Sequence, residues 1–155
     1  MEIATFGAGC FWKTEDAFRG LKGVISTSVG YMGGHFPNPS YLDVVSRITG
    51  HAEVAQIRYD PDRISYETLL SIFWSMHDPT QLNRQGPDRG EQYRSIIFYH
   101  TRAQEVTARE SKRQLELSGK YGRSIVTRIE PATEYYLADE SHQQYLEKKR
   151  RLQTS

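Results

Sequence analysis

One thiol, one carboxyl and two phenols stand out in this chain as groups that could do chemistry. Cys10 is the only cysteine among 155 residues and lies in Gly9-Cys10-Phe11-Trp12. It follows a strand-like run and two glycines, at the start of a predicted helix. Helix N-termini present unpaired N–H groups and a partial positive charge, which favour a thiolate, the nucleophilic form of cysteine. Most free cysteines are small buried core residues. A core cysteine, however, has no reason to occupy a glycine-bounded strand-to-helix turn. Glu53 is the second candidate. In "HAEVAQIRY" the alternation places it on the same strand face as Ala55, Ile57 and Tyr59. If that face points inward, the carboxyl is desolvated and held as the protonated acid, able to donate a proton near neutral pH. The competing expectation is a solvated glutamate at a frayed strand end. Tyr41 follows "NPS" and Tyr93 follows "DRGEQ". A loop phenol can donate to a polarised oxygen, although a ring packed on the surface is the commoner fate. Phe11 and Trp12 likewise are more often core than the wall of a ligand site.

Elements able to position these groups can be read around them. "EIATF" reads as a short strand ended by Gly7 and Gly9. A helical pattern follows from Phe11 to about Leu21, with Trp12, Ala17, Phe18 and Leu21 as buried candidates. "VISTSVGYM" is strand-like, and "GGHFPNPS" has Gly and Pro enough to exclude regular structure. A short helical turn fits "YLDVVS", and "AEVAQIRYD" reads as a strand. Ser65 caps a helix with Tyr66, Leu69, Leu70 and Phe73 on one face. "NRQGPDRGEQ" is a polar loop and "RSIIFYH" a strand. Thr101 with Gln104 makes a capping-box pattern, opening a charged helix to about Ser118. "RSIVTRIE" is a last strand stopped by Pro131, and a final helix runs from about Asp139. The first six major elements therefore run β-α-β-β-α-β, the split βαβ order of ferredoxin-like folds, with an α-β-α appended. The expected class is α+β, a mixed sheet covered by helices.

Composition sets the outer bounds. A chain of 155 residues fits one domain with a real core. A formal net charge of +1 argues against a nucleic-acid binder working by bulk electrostatics. The basic run Lys148-Lys149-Arg150-Arg151 is expected to fray into solvent. One cysteine allows no internal disulfide, and "MEIATFG" lacks the features of a secretory signal, so a cytoplasmic protein is expected. No apolar run is long enough to span a membrane. His51-Ala52-Glu53 copies half of a zinc-deaminase signature, but the other half needs two cysteines. A Cys–His hydrolase would need a histidine base beside Cys10, and no motif marks one.

"GCFW", "GYMGG", "PNPSY", "GHAEV", "HDPT", "RQGPDRGEQYRS" and "HQQYL" occur in this order. With that set the chain resembles the peptide methionine sulfoxide reductase A family from about Ile3 to Leu146. The resemblance implies reduction of the S epimer of methionine sulfoxide, free or in proteins, with no bound cofactor and no metal. It implies Cys10 as nucleophile and Glu53 as the acid that protonates the sulfoxide oxygen. It further implies Tyr41 and Tyr93 as donors to that oxygen, Phe11 and Trp12 as the pocket for the S-methyl group, and Asp88 near the substrate's polar end. The chemistry of the residues agrees. Protonating the oxygen makes sulfur electrophilic, and attack by Cys10 leaves a sulfenic acid, the first reversible rung of thiol oxidation. A non-catalytic redox sensor or a sulfoxide-binding module is the alternative, separated from an enzyme by turnover with dithiothreitol.

Three departures from the family pattern matter. Position 13 is Lys13 where many relatives have glycine. Val45-Ser46 occupies the stretch where many have a cysteine, in a "VCSG"-like pattern, and "KKRRLQTS" lacks the resolving cysteines of many tails. With no second thiol, an external one must clear the sulfenic acid; thioredoxin, or glutathione with glutaredoxin, are the expected partners. No nucleic-acid or membrane partner is expected, and a monomer is the working expectation.

Overall fold

The computed structural model describes residues 1–154. Its centre is a six-stranded sheet in the order β7-β6-β1-β3-β2-β8. Strand β1 (Glu2–Ala8) pairs antiparallel with both β3 (Ala52–Tyr59) and β6 (Ser95–Tyr99). Strand β2 (Val24–Met32) lies antiparallel to β3 on its other side. The order β6-β1-β3-β2 with helices α1 (Phe11–Phe18) and α3 (Tyr66–Met76) as crossovers is the ferredoxin-like arrangement expected from the sequence. Two short edge strands extend it: β7 (Arg128–Pro131), parallel to β6, and β8 (Tyr136–Leu137), antiparallel to β2. The chain is thus an α+β protein with a mixed sheet.

Both faces of the sheet are covered at the end that carries Glu53. Inward residues Ala4, Phe6, Val29, Ala55, Ile57 and Tyr59 form one core with α1, α3 and α4 (Arg102–Leu117). At its centre Phe6 stacks on Phe18 and Phe73 with ring centroids 5.4 and 5.0 Å apart. On the other face Ala52 and Val54 pack with Met32, Ile96 and Phe98 under the segment containing Ala132 and Tyr135. The strand face opposite Glu53, which carries Ala52, Val54, Gln56 and Arg58, is therefore buried at Ala52 and Val54.

Helix α1 ends at Phe18 rather than near Leu21, and four further features differ from the expected ones. Helix α1 buries Phe11, Thr14, Glu15 and Phe18, a regular i, i+3, i+4, i+7 stripe, while Trp12 and Ala17 are half-buried. Glutamate belongs to that stripe because its carboxylate is fully satisfied. Oε1 accepts from the Gln144 N–H at 2.9 Å, and Oε2 accepts from Thr27 Oγ1 at 2.7 Å and Gln144 Nε2 at 2.8 Å. The strand expected over 123–130 begins only at Arg128, because Val126 N–H donates to the Pro79 carbonyl at 2.8 Å, outside the sheet. The helix expected from Asp139 begins as a single 3₁₀ turn, Glu140–His142. It breaks at Gln143 and Gln144, the latter at φ 48°, before α5 (Tyr145–Thr154). The basic run does not fray: Arg150 pairs with Asp16 at 2.8 Å, Lys148 with Glu140 at 3.2 Å and Arg151 with Glu147 at 2.9 Å, and Arg19 also reaches Glu147.

The break in the C-terminal segment is what fastens it. Gln143 is buried and acts as a short surrogate strand beside β2: Val29 N–H donates to its Oε1 at 2.8 Å, and its Nε2 donates to the carbonyls of Val29 and Ala138, both at 2.9 Å. Removing it strands a buried N–H and a buried carbonyl, each costing about 1–3 kcal/mol. Gln143→Ala is expected to lower unfolding stability by about 2–4 kcal/mol. Urea denaturation followed by far-UV circular dichroism checks this; a loss under about 0.5 kcal/mol would show that Gln143 does not anchor the segment.

Candidate active site

Cys10 is the N-cap of α1, and its carbonyl accepts from Lys13 N–H at 3.1 Å, Thr14 N–H at 3.3 Å and Thr14 Oγ1 at 3.3 Å. The turn before it needs Gly9, which sits at φ 97° where a Cβ would lie 2.8 Å from Gln85 Cβ. Gln85 itself is clamped, accepting from Asp78 N–H at 2.9 Å and donating to Asp78 O at 2.8 Å. The loop that brings Asp88 and Tyr93 is thereby held against the Cys10 turn. What reads as a plain polar loop contains a two-residue hairpin, β4 (Arg84–Gln85) with β5 (Asp88–Arg89), and a 3₁₀ turn ending at Tyr93.

Glu53 is 1% exposed, near the start of β3. Its Oε1 accepts from the Phe11 backbone N–H at 3.3 Å. Its Oε2 is buried with no partner among the described residues. Burial pushes its pKa up to about 8; the Phe11 N–H opposes this and the Asp88 charge adds to it. The inward alternative for Glu53 is the observed one, and the carboxyl is a neutral acid at pH 7. The thiol does not follow the helix-terminus expectation. Burial pushes Cys10 up to about 11, reinforced by the carboxyls of Glu53 and Asp88; the N–H groups of Trp12 and Lys13 pull the other way but are outweighed. In the resting site the proton is on sulfur.

The remaining residues close round these two. Tyr41 opens α2 (Tyr41–Val45), and Tyr93 approaches from the other loop. Burial raises both phenols, with the Glu53 carboxyl the next cause, so both remain donors. Asp88 acts electrostatically on Cys10, Glu53, Tyr41 and Tyr93 alike, which places it at the same site. Phe11 is fully buried 6.4 Å from the Tyr41 ring, and the half-buried Trp12 stacks on Tyr145 at 3.8 Å. All seven residues singled out from sequence thus converge on one site.

Two further side chains belong to it. His142 accepts from Trp12 Nε1–H at 3.2 Å through Nδ1, and its ring lies 4.6 Å from Tyr41 and 5.5 Å from Phe11. It is the piece that ties the aromatic wall together, and "HQQYL" was its only signal in the sequence. Tyr31 stands directly opposite Glu53 across β2 and β3, 1% exposed, with its hydroxyl unpartnered among the described residues. Its signal in the sequence is "GYMGG", but its place beside Glu53 follows only from the register. Among the described residues no group of three or more His, Cys, Asp or Glu side chains could hold a metal ion.

A protonated carboxyl, a thiol and phenol donors facing an aromatic wall define a thiol-based oxidoreductase site on an α+β frame. Residues 2–155 match the family model for peptide methionine sulfoxide reductase. The chain is 67% identical over 148 residues to peptide methionine sulfoxide reductase MsrA 1 of Nostoc sp., covering 96% of this chain and 91% of that one. Among solved structures, reduced Mxr1 from Saccharomyces cerevisiae superposes with a TM-score of 0.88 at 38% identity, covering 96% of this chain and 86% of that one. Mxr1 in complex with Trx2 matches with a TM-score of 0.64 at 28% identity, over 93% and 84% of the two chains. The chain belongs to the peptide methionine sulfoxide reductase A family, whose members reduce methionine sulfoxide in the repair of oxidative damage.

The acid's buried proton has a measurable signature. A carboxyl whose folded pKa lies near 8, against 4.5 when free, contributes stability that is full below about 4.5 and is lost as pH rises through about 8. Glu53→Gln keeps the shape and cannot ionise. The parent's stability relative to Glu53→Gln should therefore fall steadily between pH 5 and pH 8 in urea titrations. A pH-independent difference would show that Glu53 is ionised throughout.

Proposed function

We propose that this protein reduces the S epimer of methionine sulfoxide, free or within proteins, through a sulfenic acid on Cys10. The observation that carries this reading is Glu53: a buried, protonated carboxyl, tied through Oε1 to the first residue of the Cys10 helix and with Oε2 left without a partner. Glu53 Oε2–H, with the phenols of Tyr41 and Tyr93, donates to the sulfoxide oxygen and makes sulfur electrophilic. Once Glu53 has released its proton it is the nearby base that can take the one on Cys10, whose thiol would otherwise stay protonated. Cys10 sulfur attacks the substrate sulfur, an S–S bond forms as the S–O bond breaks, and the released oxygen, as water or hydroxide, then bonds Cys10 sulfur as the S–S bond breaks and methionine leaves. Methionine sulfur is reduced by two electrons, Cys10 sulfur is oxidised by two, and no net proton is consumed. Phe11 and Trp12 receive the S-methyl group and Asp88 faces the polar end of the substrate. With the oxygen and methyl sites both fixed, the other epimer would direct its lone pair where the donors expect oxygen, which accounts for stereospecificity.

The chain's only cysteine cannot resolve its own sulfenic acid by disulfide formation. An external thiol therefore condenses with it, releasing water and leaving a mixed disulfide, which a second thiol exchanges. The solved complex of Mxr1 with Trx2 supports thioredoxin in this role; glutathione with glutaredoxin is the other source of the same chemistry. We further assign the protein to the cytoplasm, as a monomer with residues 1–155 forming one catalytic domain and no bound cofactor.

Cys10→Ser should abolish reduction in a protein that still folds. Glu53→Gln should slow it by about 10²–10⁴-fold and remove the alkaline fall in rate that accompanies loss of the Glu53 proton. A folded Cys10→Ser protein with substantial turnover, or an unchanged pH–rate profile in Glu53→Gln, rules the respective role out. Mixed with excess S-sulfoxide and no reductant, the enzyme should release about one methionine per chain and gain one oxygen at Cys10 by mass spectrometry. Release of two methionines per chain would overturn the recycling scheme.

A further inference from the structure

We propose that His51 is a positioning residue for Tyr41: it locks the loop that delivers the phenol onto the strand that carries the acid. His51 is 2% exposed and lies immediately before β3, two residues from Glu53. Gly34 N–H donates to its Nδ1 at 2.9 Å, and its Nε2 bonds the Phe36 carbonyl at 2.7 Å. A backbone N–H can only donate and a carbonyl can only accept. The ring must therefore be neutral, with its proton on Nε2 and Nδ1 bare. No other protonation state makes both bonds.

Those two bonds form part of a zipper between residues 34–36 and 49–51. His35 N–H donates across it to Thr49 O at 2.9 Å, and within the second strip His51 N–H donates to Thr49 Oγ1 at 3.1 Å. The two strips approach so closely that a Cβ on Gly34 would run into the Thr49 carbonyl. Beyond Phe36 the chain reaches Ser40, where a reciprocal capping box with Asp43 sets the first turn of α2, at 3.1 and 2.9 Å. Tyr41 is the first residue of that turn. Among the described residues no hydrogen bond ties down residues 37–39, so on its N-terminal side the position of Tyr41 relative to Glu53 depends on His51, while the Phe11 and His142 rings, 6.4 and 4.6 Å away, and the buried Val44 of α2 hold it on the other. A displacement of the phenol by about 1 Å is enough to cost up to about 10²-fold in rate.

The inference rests on Tyr41 acting as a donor to the sulfoxide oxygen, so the test is a cycle with Tyr41→Phe. Asparagine places an amide atom near Nδ1 and can keep the Gly34 bond; glutamine reaches the Nε2 position and can keep the Phe36 bond; leucine keeps neither. In the parent background kcat should fall by about 10- to 100-fold for His51→Leu and less for His51→Asn and His51→Gln, with KM changing little. In the Tyr41→Phe background the same three substitutions should change kcat by less than about twofold, because no hydroxyl remains to be placed. Equal losses in both backgrounds, or none in either, overturn the proposal, and the asparagine and glutamine variants carry the comparison if leucine does not fold. If Tyr41→Phe alone leaves kcat unchanged, the Tyr41 reading fails first and takes this inference with it. A readout independent of turnover is the ring's tautomer by nitrogen NMR at pH 7. The Nε2–H form is expected; an Nδ1–H or doubly protonated ring would contradict the geometry outright.

Discussion

The site depends on a carboxyl deprived of water. Glu53 sits where two strands, one helix start and a second core on the far face leave it 1% exposed, with one weak hydrogen bond to offset the loss. Everything chemical about the centre follows from that desolvation. It keeps the acid protonated, and through its charged form it disfavours ionisation of Cys10, Tyr31, Tyr41 and Tyr93 around it. At rest the carboxyl, the thiol and the phenols thus all hold their protons. A surface carboxylate at the same distance from the thiol would be ionised at pH 7 and have no proton to give.

Holding such a group in place takes five separate segments. Strand β3 brings the acid and α1 brings the thiol, and the Phe11 N–H bond to Glu53 joins them. The two loops then bring a phenol each. The Gln143–Gln144 break closes the arrangement from the C-terminal side: Gln143 is spent on β2, Gln144 on Glu15 of α1, and the residue before them on Trp12. Three consecutive polar side chains thus make three different contacts. In a helix running through these positions the Gln144 N–H would bond the Glu140 carbonyl and could not donate to Glu15 Oε1.

The strand–helix order and the placing of Cys10 and Glu53 were legible because they rest on local patterns, whereas Asp88 came only from the ordered family motifs, and Tyr41, Tyr93, Phe11 and Trp12 needed those motifs to stand out from ordinary surface or core aromatics. Gly9 before Cys10, the alternation through Glu53 and the caps at Ser65 and Thr101 are all short-range signals. Thr101 even accepts from Gln104 N–H as its spacing implied, although the Gln104 side chain reaches His100 N–H rather than returning to Thr101. What could not be read were the features that depend on partners distant in the chain. Glu15 looks like a surface residue until Thr27 and Gln144 arrive. Tyr31 gains meaning only from its register with Glu53, and His142 only from a contact 130 residues away. The thiol's ionisation failed for the same reason: the helix N–H groups are local and visible, whereas the burial that outweighs them is a property of the assembled site.

The distance between Cys10 and His142 along the chain also has a consequence for synthesis. Domains acquire structure as they leave the ribosome, and contacts between distant residues form last. The β1 strand and the Cys10 turn emerge early, but Trp12 has no His142 or Tyr145 behind it until most of the polypeptide has been made. During that interval Glu53 has already been made, but the side of the site closed by residues 142–145 is open. The wall behind Trp12 is therefore completed only with the last third of the sequence.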